Sequence, residues 1–171
     1  KDKWTITGDP TEGALVVLAA KAGLNSDIMR DKILRLAEEP FTSEKKRMTT
    51  YHTVEGKTYA FSKGAGEVML ACSSHIMTSH GIEELSDALR KNLQETIRRF
   101  AEDSLRVIGF AYKQVSSFSE SGPAEEMIFV GLAGMIDPPR AEVFAAIRRC
   151  ETAGIRPVMI TGDHKITAVA I

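Results

Sequence analysis

The sequence predicts an α+β fold in which an antiparallel sheet flanked by helices leads into a short α/β piece. Three observations carry this. Two runs of strand-type residues, 47–53 and 57–62, are separated only by Val54-Glu55-Gly56, the pattern of a hairpin. Two longer strand-like runs, 105–115 and 127–136, flank an exposed Ser/Gly/Pro/Glu loop at 116–126. At Asp137-Pro138-Pro139-Arg140 two prolines block any continuous strand or helix, and beyond them the order becomes helix, glycine, strand.

The elements follow from local signals. Residues 4–7 read as a short strand. Asp9 is a helix N-cap, Pro10 suits the first turn, and Glu12 lies three after Asp9 as in a capping box. Leu15, Leu18, Ala19 and Ala22 give a helical stripe that Gly23 stops. Ser26 caps a second short helix through Ile33, and residues 34–41 are extended. After the hairpin, Gly64-Ala65-Gly66 feeds a short helix at 67–72, and a strand follows at 75–78. Ser86 caps the longest helix, which runs to about Asp103 with the stripe Leu89, Leu93, Ile97 and Phe100. Arg98 and Arg99 complement the negative end of its dipole. Past the prolines come a helix at 141–153, Gly154 and a strand at 156–160. The domains are therefore 1–136, a connector at 137–140 and a partial second domain at 141–171.

With 171 residues the chain holds one domain plus a fragment and can bury a real core. A net charge of −1 lacks the electrostatic footprint of a nucleic-acid binder. The densest basic run, Lys45-Lys46-Arg47, reads equally as a solvated strand edge or as a phosphate-facing cluster. Cys72 and Cys150 have no metal-type spacing and fit a reduced, cytoplasmic setting. His52, His75, His80 and His164 form no ligand pattern, so no metal site is assigned. No signal peptide opens the chain, and no apolar run approaches the roughly 20 residues of a membrane span, so no membrane insertion is expected.

The chemistry begins at Val158-Met159-Ile160-Thr161-Gly162-Asp163, where an apolar run enters a polar turn and a helical pattern resumes at Lys165. An α/β fold delivers a carboxylate and backbone N–H groups to the carboxyl edge of a sheet in this way. The run stops eight residues before the end, so the chain reads as an excised piece of something larger. A nucleotide site also needs an apolar or aromatic surface for the base and cations for the phosphates. Phe41 supplies an aromatic among polar residues, although alone it reads first as a core residue. Lys63 precedes glycines that admit a ligand closely, or is simply a lysine at a hairpin exit. Glu12 can accept from an adenine amine or close its capping box, and Arg106 can reach a phosphate or stay on the surface. Walker-type and GxGxxG loops are missing from the sequence, as is a nucleophile with a neighbouring base.

Together the residues carry a resemblance. Gly8-Asp9-Pro10-Thr11-Glu12-Gly13-Ala14-Leu15, Pro40-Phe41-Thr42-Ser43-Glu44-Lys45-Lys46-Arg47-Met48 and Ser62-Lys63-Gly64-Ala65 resemble the nucleotide-binding domain of P-type cation-transporting ATPases. Leu105-Arg106-Val107-Ile108-Gly109-Phe110-Ala111, Asp137-Pro138-Pro139-Arg140 and Met159-Ile160-Thr161-Gly162-Asp163 follow in the family's order, most like its calcium-pump and sodium/potassium-pump branch. The resemblance implies a twisted antiparallel sheet flanked by helices, then a fragment of a haloacid-dehalogenase-like phosphorylation domain. It implies that Phe41 stacks on adenine, Lys63 and Gly64 line the base and ribose pocket, and Glu12 bonds near the adenine amine. Lys46 and Arg106 approach the phosphates. Asp137, Pro138, Pro139 and Arg140 form one strand of the interdomain hinge. Thr161, Gly162 and Asp163 belong to the catalytic motif of the second domain, which is incomplete here.

The cofactor implied is ATP, with Mg2+ used by the full-length parent but not fixed by this fragment. Partners implied are the remaining phosphorylation, actuator and transmembrane domains of an integral membrane protein, of which this is a soluble cytoplasmic part. The fragment is expected to bind ATP without autophosphorylating, because the Asp-Lys-Thr-Gly-Thr and Gly-Asp-Gly-x-Asn-Asp stretches are not in it. Two departures stand out. Ser43 occupies the place of a phosphate-contacting arginine, leaving Lys46 or Lys45 to compensate, and Gly66 replaces a usual proline, which loosens that turn. Two other readings are a non-catalytic interaction module and a free-standing haloacid-dehalogenase-type phosphatase. The second needs an Asp-x-Asp nucleophile motif that the sequence lacks.

Overall fold

Capping chemistry sets the helix starts, and alternation sets the strands. In the computed structural model, which describes residues 7–116, 125–136 and 140–160, helix α1 (Pro10–Lys21) begins where the Asp9 carboxylate accepts from the Thr11 and Glu12 N–H groups at 2.8 and 3.2 Å. Helix α2 (Ser26–Lys32) is capped by Asn25, which accepts from Asp27 and Ile28 at 2.9 and 3.2 Å. The cap therefore lies one residue before the expected Ser26, which is itself helical; Asn and Ser are comparable caps, so composition alone does not separate them. Strand β1 (Arg35–Glu39) is shorter than the extended stretch expected at 34–41. The hairpin of β2 (Arg47–Val54) and β3 (Lys57–Ala65) turns at Glu55-Gly56, both at positive φ. Helix α3 (Gly66–Ala71), β4 (Ser73–Thr78), β5 (Gly81–Glu84) and α4 (Asp87–Glu102) follow. The fold ends in β6 (Arg106–Val115), β7 (Met127–Met135) and α5 (Ala141–Thr152).

Among the described residues the strands form one seven-stranded sheet in the order β1-β2-β3-β6-β7-β4-β5. The expected antiparallel sheet is in fact mixed, because β4 pairs with β7 in parallel. Helix α3 is the cause: it carries the chain from β3 to β4 as a crossover, so the two strands run the same way with β6 and β7 between them. Strand β5 was not expected. It hairpins with β4, Thr78 pairing with Gly81, and its four residues are all exposed. The strand expected at 156–160 is not formed among the described residues; that stretch is exposed and has no ladder partner, without which an extended run is not a strand. The predicted strand at residues 4–7 and the catalytic motif of Thr161, Gly162 and Asp163 lie outside the described residues, wholly or nearly so. So do the middle of the 116–126 loop and three of the four hinge residues, Asp137, Pro138 and Pro139.

One face of the sheet is covered by α3 and α4, where Met69, Leu70 and Ile97 pack on Ala111, Met127 and Phe129. Leu89 and Leu93 of the predicted stripe pack against this cluster. Gly66, expected to loosen its turn, opens α3. It is buried at the first position of α3, and an added Cβ would stand 3.1 Å from Ile97 and 3.2 Å from Leu132. Its lack of a side chain lets α3 sit close against α4 and β7.

The other face carries His52, Tyr59, Phe61 and Tyr112, with Phe61 and Tyr112 stacked at 6.2 Å and His52 edge-on to Phe61 at 5.7 Å. Burial holds the His52 ring below its ordinary value of 6.5; the Ile33 carbonyl opposes that shift and the Arg35 charge adds to it. The unfolded chain therefore takes up the proton first, and stability present above the ordinary value is lost as pH falls toward the lowered folded value. Urea midpoints are expected to drop between pH 7 and 5, and His52→Gln should flatten that slope. An identical slope in the variant would assign the pH dependence elsewhere.

Candidate functional site

The open ends of β2, β3 and β6, the 40–46 loop and the first turn of α1 enclose a cleft of about 660 Å3. Strand register explains its floor. Met48 pairs with Lys63, and Ala65 with Ile108, so these four side chains share the face opposite the core helices, as does Arg106. Sequence reasoning missed Met48 and Ile108, although the alternation that places Lys63 and Arg106 on this face places them there too.

Two polar contacts tie α1 to the sheet at the cleft. Glu12 pairs with Lys63 Nζ, and Arg106 donates to Thr11 Oγ1 at 3.0 Å. Asp9 lies at the rim, its carboxyl held below the ordinary range by the Glu12 and Thr11 N–H groups, the Thr11 hydroxyl and the Arg106 charge. Phe41 projects from the loop with 59% of its surface exposed, so the reading of it as a core aromatic is overturned.

The basic run divides three ways. Lys45 pairs with the buried Glu39 and does not line the cleft. Arg47 is buried on the core side and donates to Cys72 Sγ at 3.2 Å. Lys46 lines the cleft. Its N–H bonds back to the Thr42 carbonyl at 2.8 Å and its φ is +50°. This left-handed residue joins the 43–45 turn to the start of β2 at Arg47. Of the two lysines that could compensate for Ser43, Lys46 is thus the one placed beside it, since Ser43 also lines the cleft.

Gly64 lines the cleft, and its missing side chain is needed for the packing of the chain against itself. A Cβ there would overlap the Lys46 carbonyl oxygen and stand 2.8 Å from Arg47 Cα. The close approach is chain to chain, and the Ala65 N–H seals it by donating to the Lys46 carbonyl at 3.0 Å. The structure therefore brings Glu12, Phe41, Lys46, Lys63, Gly64 and Arg106 around one cleft. Arg140 is exposed at the start of α5. Among the described residues no group of three or more His, Cys, Asp or Glu could hold a metal ion.

Against known proteins, the family described as P-type ATPase, cytoplasmic domain N, matches residues 1–142. The chain belongs to this family. Its N-domain region contains every residue that lines the cleft. Relatives of full length include a calcium-transporting ATPase of Bacillus cereus, 44% identical over 167 residues, covering 96% of this chain and 19% of the relative. Another, from Lactococcus lactis, is 38% identical over 97% of this chain and 19% of its own length. The cation-transporting ATPase pma1 of Synechocystis is 40% identical over 99% of this chain and again 19% of the relative. The chain thus spans about a fifth of the length of the pumps it is similar to. Among the described residues of this N-domain chain, no helix is long and apolar enough to cross a membrane.

Proposed function

We propose that the cleft binds ATP and that the chain is the nucleotide-holding part of a P-type cation-transporting ATPase. The observation that carries this is the convergence of one exposed aromatic, Phe41, with Lys46, Lys63 and Arg106 around a single cleft. Phe41 stacks on adenine over the apolar floor of Met48 and Ile108. Glu12 releases Lys63 and accepts from the adenine amine, while Lys63 and Gly64 border base and ribose. Lys46 and Arg106 neutralise phosphate oxygens, the positioning and charge compensation on which phosphoryl transfer depends.

In the parent, residues 1–136 present the γ-phosphate to an aspartate of the phosphorylation domain, to which 141–171 contribute Thr161, Gly162 and Asp163. Residues 137–140 act as the hinge between them. ATP hydrolysis through the aspartyl-phosphate drives cation movement across the membrane, with Mg2+ held mainly by groups outside this chain. The Asp-Lys-Thr-Gly-Thr stretch is not in the sequence, so the isolated chain binds ATP without becoming phosphorylated.

Titration of the 171-residue chain with ATP, followed by amide chemical shifts, tests the reading. Perturbations are expected at 9–12, 41–48, 63–65 and 106–108; no saturable change, or changes confined to other surfaces, would sink it. Lys46→Ala separates phosphate from base recognition. As an exposed cation it should weaken ATP about two- to fivefold and adenosine less than twofold, with the difference shrinking as salt is added.

A further inference from the structure

We propose that Asp9 is a positioning residue for the nucleotide site, setting where Thr11 and Glu12 stand without itself touching the nucleotide. This rests on the reading of the cleft as an ATP site. Helix α1 has no fully buried residue; Thr11, Gly13, Ala14 and Leu15 are half-buried, so packing alone fixes its first turn only in part. Two polar contacts hold that turn to the sheet at the cleft: Glu12 to Lys63 of β3, and Arg106 of β6 to Thr11 Oγ1 at 3.0 Å. The two residues that make these contacts are also the two whose backbone N–H groups the Asp9 carboxylate accepts, at 2.8 Å from Thr11 and 3.2 Å from Glu12. One carboxylate oxygen therefore organises both attachments of the helix to the site.

Without the cap, the first turn frays, as helix ends do when their leading N–H groups lose an acceptor. Glu12 and Thr11 then leave the positions from which they meet the base and Arg106. The carboxylate charge is not the working feature; an acceptor at that place is, and Asn or Ser supplies one.

The test uses the 171-residue chain and two readouts. Without nucleotide, the Thr11 and Glu12 amide protons should exchange about fivefold faster in Asp9→Ala, and at the wild-type rate in Asp9→Asn. With ATP, Asp9→Ala should weaken binding about fivefold while Asp9→Asn and Asp9→Ser stay within about twofold of wild type. In a Thr11→Ala/Glu12→Ala background, adding Asp9→Ala should change affinity less than about twofold, because the residues it positions are gone. Equal loss in Asp9→Asn and Asp9→Ala, or an undiminished Asp9→Ala effect in that background, would make Asp9 a direct contact and overturn the proposal. Unchanged exchange in Asp9→Ala would overturn it as well. If wild type fails to bind ATP, the reading of the cleft fails, and the exchange measurement still decides whether Asp9 holds the turn.

Discussion

Gly64→Ala should lower stability by about 3 kcal/mol or more and abolish ATP binding in whatever fraction stays folded. The new methyl overlaps the Lys46 carbonyl oxygen and lies 2.8 Å from both Arg47 Cα and Cβ. Neither the carbonyl nor Cα can swing aside as a side-chain tip does. The β2 and β3 backbones must separate at their open end, breaking the bond from the Ala65 N–H to Lys46 and moving Lys46 off the cleft. Urea unfolding checks the first part and calorimetric titration the second. A wild-type urea midpoint would show that the two strands can separate freely there, and the proposed clamp would be wrong.

Phe41→Ala should have the opposite profile. With 59% of its surface already in solvent, the ring contributes little to folding, and stability should stay within about 0.5 kcal/mol. Base stacking on an aromatic is worth about 1–3 kcal/mol, so ATP should bind about 5- to 150-fold more weakly. Phe41→Tyr should keep most of the affinity, because the ring face is retained. Calorimetric titration with ATP and adenosine should show similar losses for both, which separates Phe41 from Lys46. Equal ATP affinity in wild type and Phe41→Ala would favour a module that only contacts a protein partner.

Much of the fold was legible because its signals are local. Asp9 and Ser86 mark helix starts through their own side chains, and Glu55-Gly56 marks the hairpin through the backbone freedom of its turn. What was hidden depends on distant partners. The parallel pairing of β4 with β7 joins segments separated by a helix and two strands, and β5 has four exposed residues with no alternation to detect. The site shows the same division. Its residue types could be picked out from motifs, but the separate fates of Lys45, Lys46 and Arg47 follow from one left-handed residue and a buried glutamate, neither visible in composition. Phe41 was misread in isolation because an aromatic after proline says nothing about which side of the chain faces water.

The strand order also has a consequence for synthesis on the ribosome. The chain emerges from its amino end, so β1-β2-β3 and β4-β5 are available as two separate patches before β6 and β7 exist. Until residues 106–135 have left the exit tunnel, the inner edges of β3 and β4 display unpaired backbone groups toward a gap two strands wide. The sheet is completed by insertion rather than by growth at its rim. Nascent chains halted in this interval should be the most prone to edge-to-edge association, and slowing translation there should raise the demand for chaperones.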